Sequence, residues 1–177
     1  WTRLLGSSNY DELGSALTTG SDGSIYISGY TNGNLDGQIN NGGYDAFISK
    51  YNPDGTKDWT RLLGGSSHEG VGFWDITVRD RSALTTGSDG SIYIAGCTQG
   101  NIDGQINKEG WNDAFISKFN SDGTKEWTRL LGDSFNDYAE AITTGSDGSI
   151  YIAGYTNGEL EGRSLIINGF VTGGDGR

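Results

Sequence analysis

The sequence predicts an all-β protein made of four-stranded antiparallel units, and three observations predict it. Glycine is abundant, at 31 of 177 residues, while proline occurs once and methionine not at all. Glycine penalises helix interiors and serves tight turns. The apolar residues, 33% of the chain, come in short blocks bounded by Gly, Asp, Asn and Ser, the pattern of short strands joined by turns. The blocks also recur. Trp-Thr-Arg-Leu-Leu-Gly begins at Trp1, Trp59 and Trp127, and Thr-Thr-Gly-Ser-Asp-Gly-Ser-Ile-Tyr-Ile at Thr18, Thr85 and Thr143. Asp-Ala-Phe-Ile-Ser-Lys begins at Asp45 and Asp113. Aromatic side chains, 11% of the chain, separate this composition from that of a disordered one.

Each unit reads as four strands. In the first unit residues 16–20 form the first strand, and the pair Asp22-Gly23 signals a two-residue hairpin, because Gly takes the positive φ such turns need. Residues 24–31 form the second strand, with Ile25 and Ile27 pointing one way and Tyr26 and Tyr30 the other. A polar loop leads to the third strand, 46–52. Pro53-Asp54-Gly55 marks a turn, and 58–64 form the fourth strand. Apolar positions on both faces of the middle strands require cover on both sides. The spacing of the Trp blocks is 58 and then 68 residues, the excess falling between Ser66 and Arg81. Four-stranded units at this period, stacked face to face, define a β-propeller. A parallel β-helix has shorter coils and no antiparallel hairpins. The expected layout is a single segment over 1–177 with about three blades: an orphan outer strand at 1–6, blade one at 15–64, blade two at 82–132, and an incomplete blade three at 139–172.

Four stretches then carry a family resemblance: Ser-Asp-Gly-Ser-Ile-Tyr-Ile-Ser-Gly-Tyr-Thr, Leu-Asp-Gly-Gln-Ile-Asn, Asp-Ala-Phe-Ile-Ser-Lys-Tyr-Asn and Asp-Gly-Thr-Lys-Asp-Trp-Thr-Arg. Together they resemble the SBBP β-propeller repeat over nearly the whole chain. The resemblance implies a multi-bladed propeller of a secreted or surface-exposed bacterial protein, with no general catalytic motif. The third copy departs from the pattern after Gly158, where Asp-Gly-Gln-Ile-Asn and Asp-Ala-Phe have no counterpart, although residues 165–171 could still make a third strand. A closed ring takes about four to eight blades. Exposed blade faces and strand edges favour association. The expected partner is therefore a second copy, as a homo-oligomer or polymer exchanging the Trp strand, or the remainder of a longer propeller.

The formal net charge of −11 argues against nucleic acid, which needs clustered Lys and Arg, and against an anionic membrane surface. No apolar stretch reaches the length of a membrane span. Cys97, the single cysteine, replaces the tyrosine of Tyr30 and Tyr155 and reads as a small buried apolar group. The long fourth-to-first and second-to-third connections share one end of a propeller, and loops on a rigid scaffold carry function. There Phe73, Trp74 and Trp111 are candidate ligand-binding aromatics for a glycan. Calcium is the candidate cofactor. Oxygen ligands at short spacing are offered by Asp36, Gln38, Asn40 and Asp45, and again by Asp103, Gln105, Asn107 and Asp113, against the simpler role of capping turns. The Trp1, Trp59 and Trp127 side chains read as packing between blades. His68, the only histidine, stands beside Glu69 and near Asp75 without a nucleophile motif. Paired carboxylates drawn from Asp11, Glu12, Asp137 or Glu140 have no fixed separation of the kind glycoside hydrolysis needs. The expectation is a non-enzymatic extracellular or cell-surface structural or adhesive module. The alternative is a propeller that binds glycan or calcium through its loop face.

Overall fold

The computed structural model describes residues 1–69, 83–107, 112–132, 135–156 and 170–172, with the side chains of 12–15 and 170–172 set aside. Its strands fall into three sheets. The first runs β1 (Asp11–Thr19), β2 (Ile25–Thr31), β3 (Asp45–Tyr51) and β4 (Lys57–Leu63), each hydrogen-bonded to the next. The second repeats this order in β5 (Ala83–Thr86), β6 (Ile92–Thr98), β7 (Asp113–Phe119) and β8 (Lys125–Leu131). The third holds β9 (Asp137–Thr144), β10 (Ile150–Thr156) and β11 (Phe170–Thr172), in the order β11-β10-β9. All pairings are antiparallel except β10 with β11. Among the described residues the four-stranded antiparallel blade is thus realised twice.

The first strand of blade one starts earlier than its alternation suggests, at Asp11, because a register shift between Leu13 and Leu17 interrupts the period of two. The first-to-second turn is also not a two-residue hairpin. Gly20 N–H donates to Ser24 O (2.8 Å) and Gly23 N–H to Gly20 O (3.0 Å), and of the loop residues Gly23 alone takes positive φ, at 79°. This is the three-residue loop with glycine in the left-handed position. Asp22 closes it, accepting from the Ser24 amide and hydroxyl at 2.9 and 2.8 Å. Residues 1–6 belong to no strand ladder, so the expected outer strand is not paired. In blade three the tail contributes β11 parallel to β10, not the antiparallel third strand expected there.

Strands β3, β6 and β7 are buried almost throughout, as two-sided cover requires. Tyr26, Ile48, Trp59 and Leu63 of blade one pack with Leu84, Ile92, Ile94, Phe115 and Phe119 of blade two. Tyr93, Ala95 and Ile116 of blade two pack with Ala139, Ile150 and Ile152 of blade three. The innermost strands lie side by side, β5 packing against both β1 and β9. Cys97 is buried, as expected for a small apolar stand-in.

Candidate functional site

The chain concentrates its specific chemistry in the seams between blades, and three contacts recur there. The outermost is made by the Trp-Thr-Arg block. Trp59 on β4 donates from Nε1 to the Ser121 carbonyl of the β7–β8 turn (3.2 Å), and Arg61 Nε donates to the Gly123 carbonyl (2.9 Å). The Arg61 guanidinium lies over the Trp59 ring, 5.5 Å from its centroid. Lys50 joins from β3, donating to Ser121 O at 3.3 Å while it pairs with Asp58 at 3.0 Å. The N-terminal block repeats the motif one blade earlier. Trp1 Nε1 donates to Pro53 O (3.2 Å) and Arg3 Nε to Gly55 O (2.8 Å), although residues 1–6 form no strand. Trp1 also stacks on Tyr51, with ring centroids 6.1 Å apart.

The turn that receives each block is Asn-x-Asp-Gly-Thr. Its glycine has φ near +81° (Gly55 81°, Gly123 82°). A Cβ added there would lie 2.3 Å from the Trp1 ring at Gly55 and 2.8 Å from the Trp59 ring at Gly123. Glycine is therefore required twice over, by its conformation and by the indole pressed against it. Asp54 and Asp122 hold these turns through hydrogen bonds from Thr56 and Thr124, which keep both carboxyls below the usual range.

A threonine relay forms the innermost seam. Thr86 Oγ1 donates to Thr19 O (3.0 Å) and meets Thr18 Oγ1 at 3.5 Å. Thr144 Oγ1 donates to Thr86 O (2.8 Å), and Thr85 Oγ1 lies 3.3 Å from it. The recurrent Thr-Thr pair, read from sequence only as strand, is thus the hydroxyl lock between neighbouring inner strands.

At the loop end the connections of adjacent blades meet. Gly43 N–H donates to Ser67 O, Glu69 N–H to Tyr44 O and Gln99 N–H to His68 O, at 2.7, 2.6 and 2.9 Å. The corresponding bond in the next seam runs from Asp137 N–H to Asn112 O at 2.6 Å. His68 Nδ1 accepts from the Tyr44 amide at 3.1 Å, so the lone histidine serves the seam. Glu69 is fully buried. Its Oε2 accepts from Gly65 N–H (3.0 Å) and its Oε1 from the Thr98 hydroxyl (2.9 Å). Burial pushes its carboxyl up to about 7, and the nearby Asp45 and Asp103 charges add to the rise against the two hydrogen bonds. Asp45, likewise fully buried, is raised by the same desolvation; its Oδ2 accepts from Asn41 N–H (3.0 Å), and its Oδ1 meets no partner among the described residues. Sequence reasoning names Glu69 only as the neighbour of His68, since its burial emerges only when the loops of adjacent blades meet.

Of the residues expected to bind calcium, Asp36, Asp103, Asn40 and Asn107 have hydrogen-bond partners within the blade and loop. Asp36 occupies a tight turn with φ 51°, and its carboxylate takes hydrogen bonds from Lys57 and Thr60. Burial acts upward on it, but those bonds and the Lys57 charge hold it below its ordinary value. Asp103 repeats the arrangement with Lys125 and Thr128. Asn40 donates to Thr31 O and Gly43 O at 3.0 and 3.1 Å, and Asn107 to Thr98 O at 3.3 Å, so both amides cap the loop. Gln38 is half-buried and Gln105 exposed, each paired through its backbone with the residue opening its turn. Asp45 and Asp113 open the third strands at the seams. Among the described residues no group of three or more His, Cys, Asp or Glu side chains is arranged to hold a metal ion. Phe73, Trp74, Trp111 and Asp75 lie outside the described residues.

Residues 1–36 and 126–161 match the family described as Beta-propeller repeat, SBBP. Residues 20–60 match Domain of unknown function (DUF5122) beta-propeller. The chain is also 27% identical over 181 residues to the "Regulatory protein FlaEY" of Caulobacter vibrioides, an alignment that covers 90% of this chain and 18% of that protein. The chain thus spans under a fifth of the length of this relative.

Proposed function

From a chain built of β-propeller repeats of the SBBP family, we propose a non-enzymatic structural or adhesive module that works by packing blade against blade. The observation that carries this reading is the fate of the polar side chains most often repeated. Trp, Arg, Thr and turn Asp residues are spent on the same inter-blade or intra-blade bonds in successive copies. A scaffold needs such repetition, whereas catalysis needs one place that differs. Of the carboxylates considered for hydrolysis, Asp11 accepts from the Ser7 amide through its Oδ2. We place the module outside the cell or at its surface. That placement rests on the resemblance to repeats of surface-exposed bacterial proteins, and burial leaves the lone Cys97 thiol inert in any compartment.

The test is the mass of the chain in solution by light scattering across concentration, with and without calcium. A discrete multimer or polymer is expected, with no dependence on calcium. A monomer at every concentration would overturn association between copies.

A second reading is favoured by one feature of the loop end. Tyr10 is 57% exposed and meets Tyr44 edge-on with centroids 6.1 Å apart, while Tyr44 packs on His68 at 5.7 Å. Such an aromatic wall suits the apolar face of a sugar. On this reading Tyr10→Ala abolishes retention on a glycan array and leaves melting nearly unchanged. Equal retention by the variant would exclude the wall as a sugar platform.

A further inference from the structure

The seams repeat one another closely, but one corner of the loop end differs between them. Tyr10, His68 and Asn136 follow the Trp-Thr-Arg-Leu-Leu-Gly block at the same distance in successive copies, and Tyr44 and Asn112 each precede Asp-Ala-Phe. In the second seam these places hold amides that bond each other, Asn112 Nδ2–H donating to Asn136 Oδ1 at 2.9 Å. In the first they hold rings. Tyr10 meets Tyr44 at an interplanar angle of 87°, Tyr30 meets it at 85°, and His68 lies against it at 37°. Tyr30 is buried, Tyr44 and His68 are half-buried and Tyr10 is exposed, so the corner opens outward.

Each outer ring is followed in the chain by an acid, in Tyr10-Asp11, Tyr44-Asp45 and His68-Glu69. Asp45 and Glu69 are fully buried, and the Asp45 charge bears on Glu69. Asp11 and Asp45 each keep one buried carboxylate oxygen that takes no hydrogen bond among the described residues. The described cations are held elsewhere. The lysines pair with Asp36, Asp58, Asp103 and Glu126, while the arginines bond turn carbonyls or lie over their tryptophans. Among the described residues no cation answers the three acids of the corner.

We infer that this corner binds a glycan through sugars that carry a protonated amino group. The inference rests on the second reading above, of the wall as a sugar platform, and names the sugar. A neutral sugar face draws only on the area of the Tyr10 ring. An ammonium on that sugar also meets the negative faces of the rings and brings a counter-charge towards Asp11, Asp45 and Glu69. A uronate would meet the same field as repulsion. Exposed Asn9 and Asn41 flank the corner, and each amide offers donors and an acceptor together, as sugar hydroxyls require.

The test is calorimetric titration of the chain with short glucosamine oligosaccharides, their N-acetylated counterparts, oligouronates and a lysine oligopeptide. The glucosamine oligomer should bind saturably and at least about tenfold more tightly than the N-acetylated one, the difference shrinking as salt rises. The uronate should not bind. Tyr10→Ala should weaken glucosamine binding at least about tenfold with little change in Tm. Asp11→Asn, which keeps an acceptor for the Ser7 amide, should bring the two oligomers closer to equal affinity. Equal affinity in the parent overturns the charge preference and leaves the platform standing. If neither oligomer binds, the inference falls, and retention of any other glycan through Tyr10 decides separately whether the platform stands. Glucosamine binding that Tyr10→Ala leaves unchanged is attraction to the acidic chain at large and overturns the corner as its site. A lysine oligopeptide that binds as tightly, and loses as much on Tyr10→Ala, overturns the glycan as the source of the amine.

Discussion

Trp59→Ala is expected to destabilise the chain by about 4 kcal/mol, lowering Tm by roughly 10 °C. The side chain is only 8% exposed, packs with Tyr26 and the blade-two core, and loses its bond to Ser121 O. The receiving turn supplies a control. Gly123→Ala should cost about 2–3 kcal/mol, roughly 1 for a Cβ in the left-handed region and the rest for its clash with the Trp59 ring. Gly90 takes nearly the same φ, 80°, but has open space where a Cβ would go. Gly90→Ala should therefore cost only the conformational part, about 1 kcal/mol. Combining Trp59→Ala with Gly123→Ala removes the clash, so the double variant should fall short of additivity by about 1–2 kcal/mol. Strict additivity in a denaturant cycle would show that indole and glycine do not press on one another, and the seam would lose its main contact.

Most strands lie where the repeated sequence blocks place them, because strict repetition fixes period and alternation together. Strands β2, β3 and β4 begin and end within a residue of their expected bounds. The failures are physical in origin. The bulge between Leu13 and Leu17 hid the first half of β1, since alternation read across a register shift looks like loop. The Asp-Gly pair alone reads as the whole hairpin loop, although one positive φ, not two, governs that turn. The seam was half legible. Packing roles for Trp1 and Trp59 were visible in their recurrence, but their arginine partners two residues on, and the glycine that receives them, emerge only when adjacent blades are juxtaposed. Spacing along a chain says nothing of direction, so the partners of the loop carboxylates emerge only in the fold. Asp36 turns toward Lys57 and Thr60 on β4, while Asp45 is buried at the head of β3.

The buried acid at the loop end makes stability depend on pH in a direction opposite to that of the turn aspartates. Glu69 has its carboxyl pushed from the ordinary 4.5 up to about 7, chiefly by burial. The folded chain therefore holds a proton that the unfolded chain releases between those values. Stability from this site is fully present below pH 4.5 and is lost as pH rises through 7, by roughly 3 kcal/mol in all. Asp45, raised by burial, acts in the same sense. Asp22 and Asp89 are lowered by hydrogen bonds from Ser24 and Ser91, so what they contribute is lost as pH falls below the ordinary aspartate range. Stability should accordingly peak on the acid side of neutrality. Glu69→Gln removes the titrating group while keeping an acceptor for Gly65 or Thr98. Its urea midpoint should hold nearly level from pH 5 to 8, where the parent declines, and the variant should be the more stable of the two at pH 8. A parent whose stability rises across that range, or a variant with an undiminished slope, would mean that Glu69 stays ionised in the fold. In that case the seam must supply a counter-charge to the buried pair.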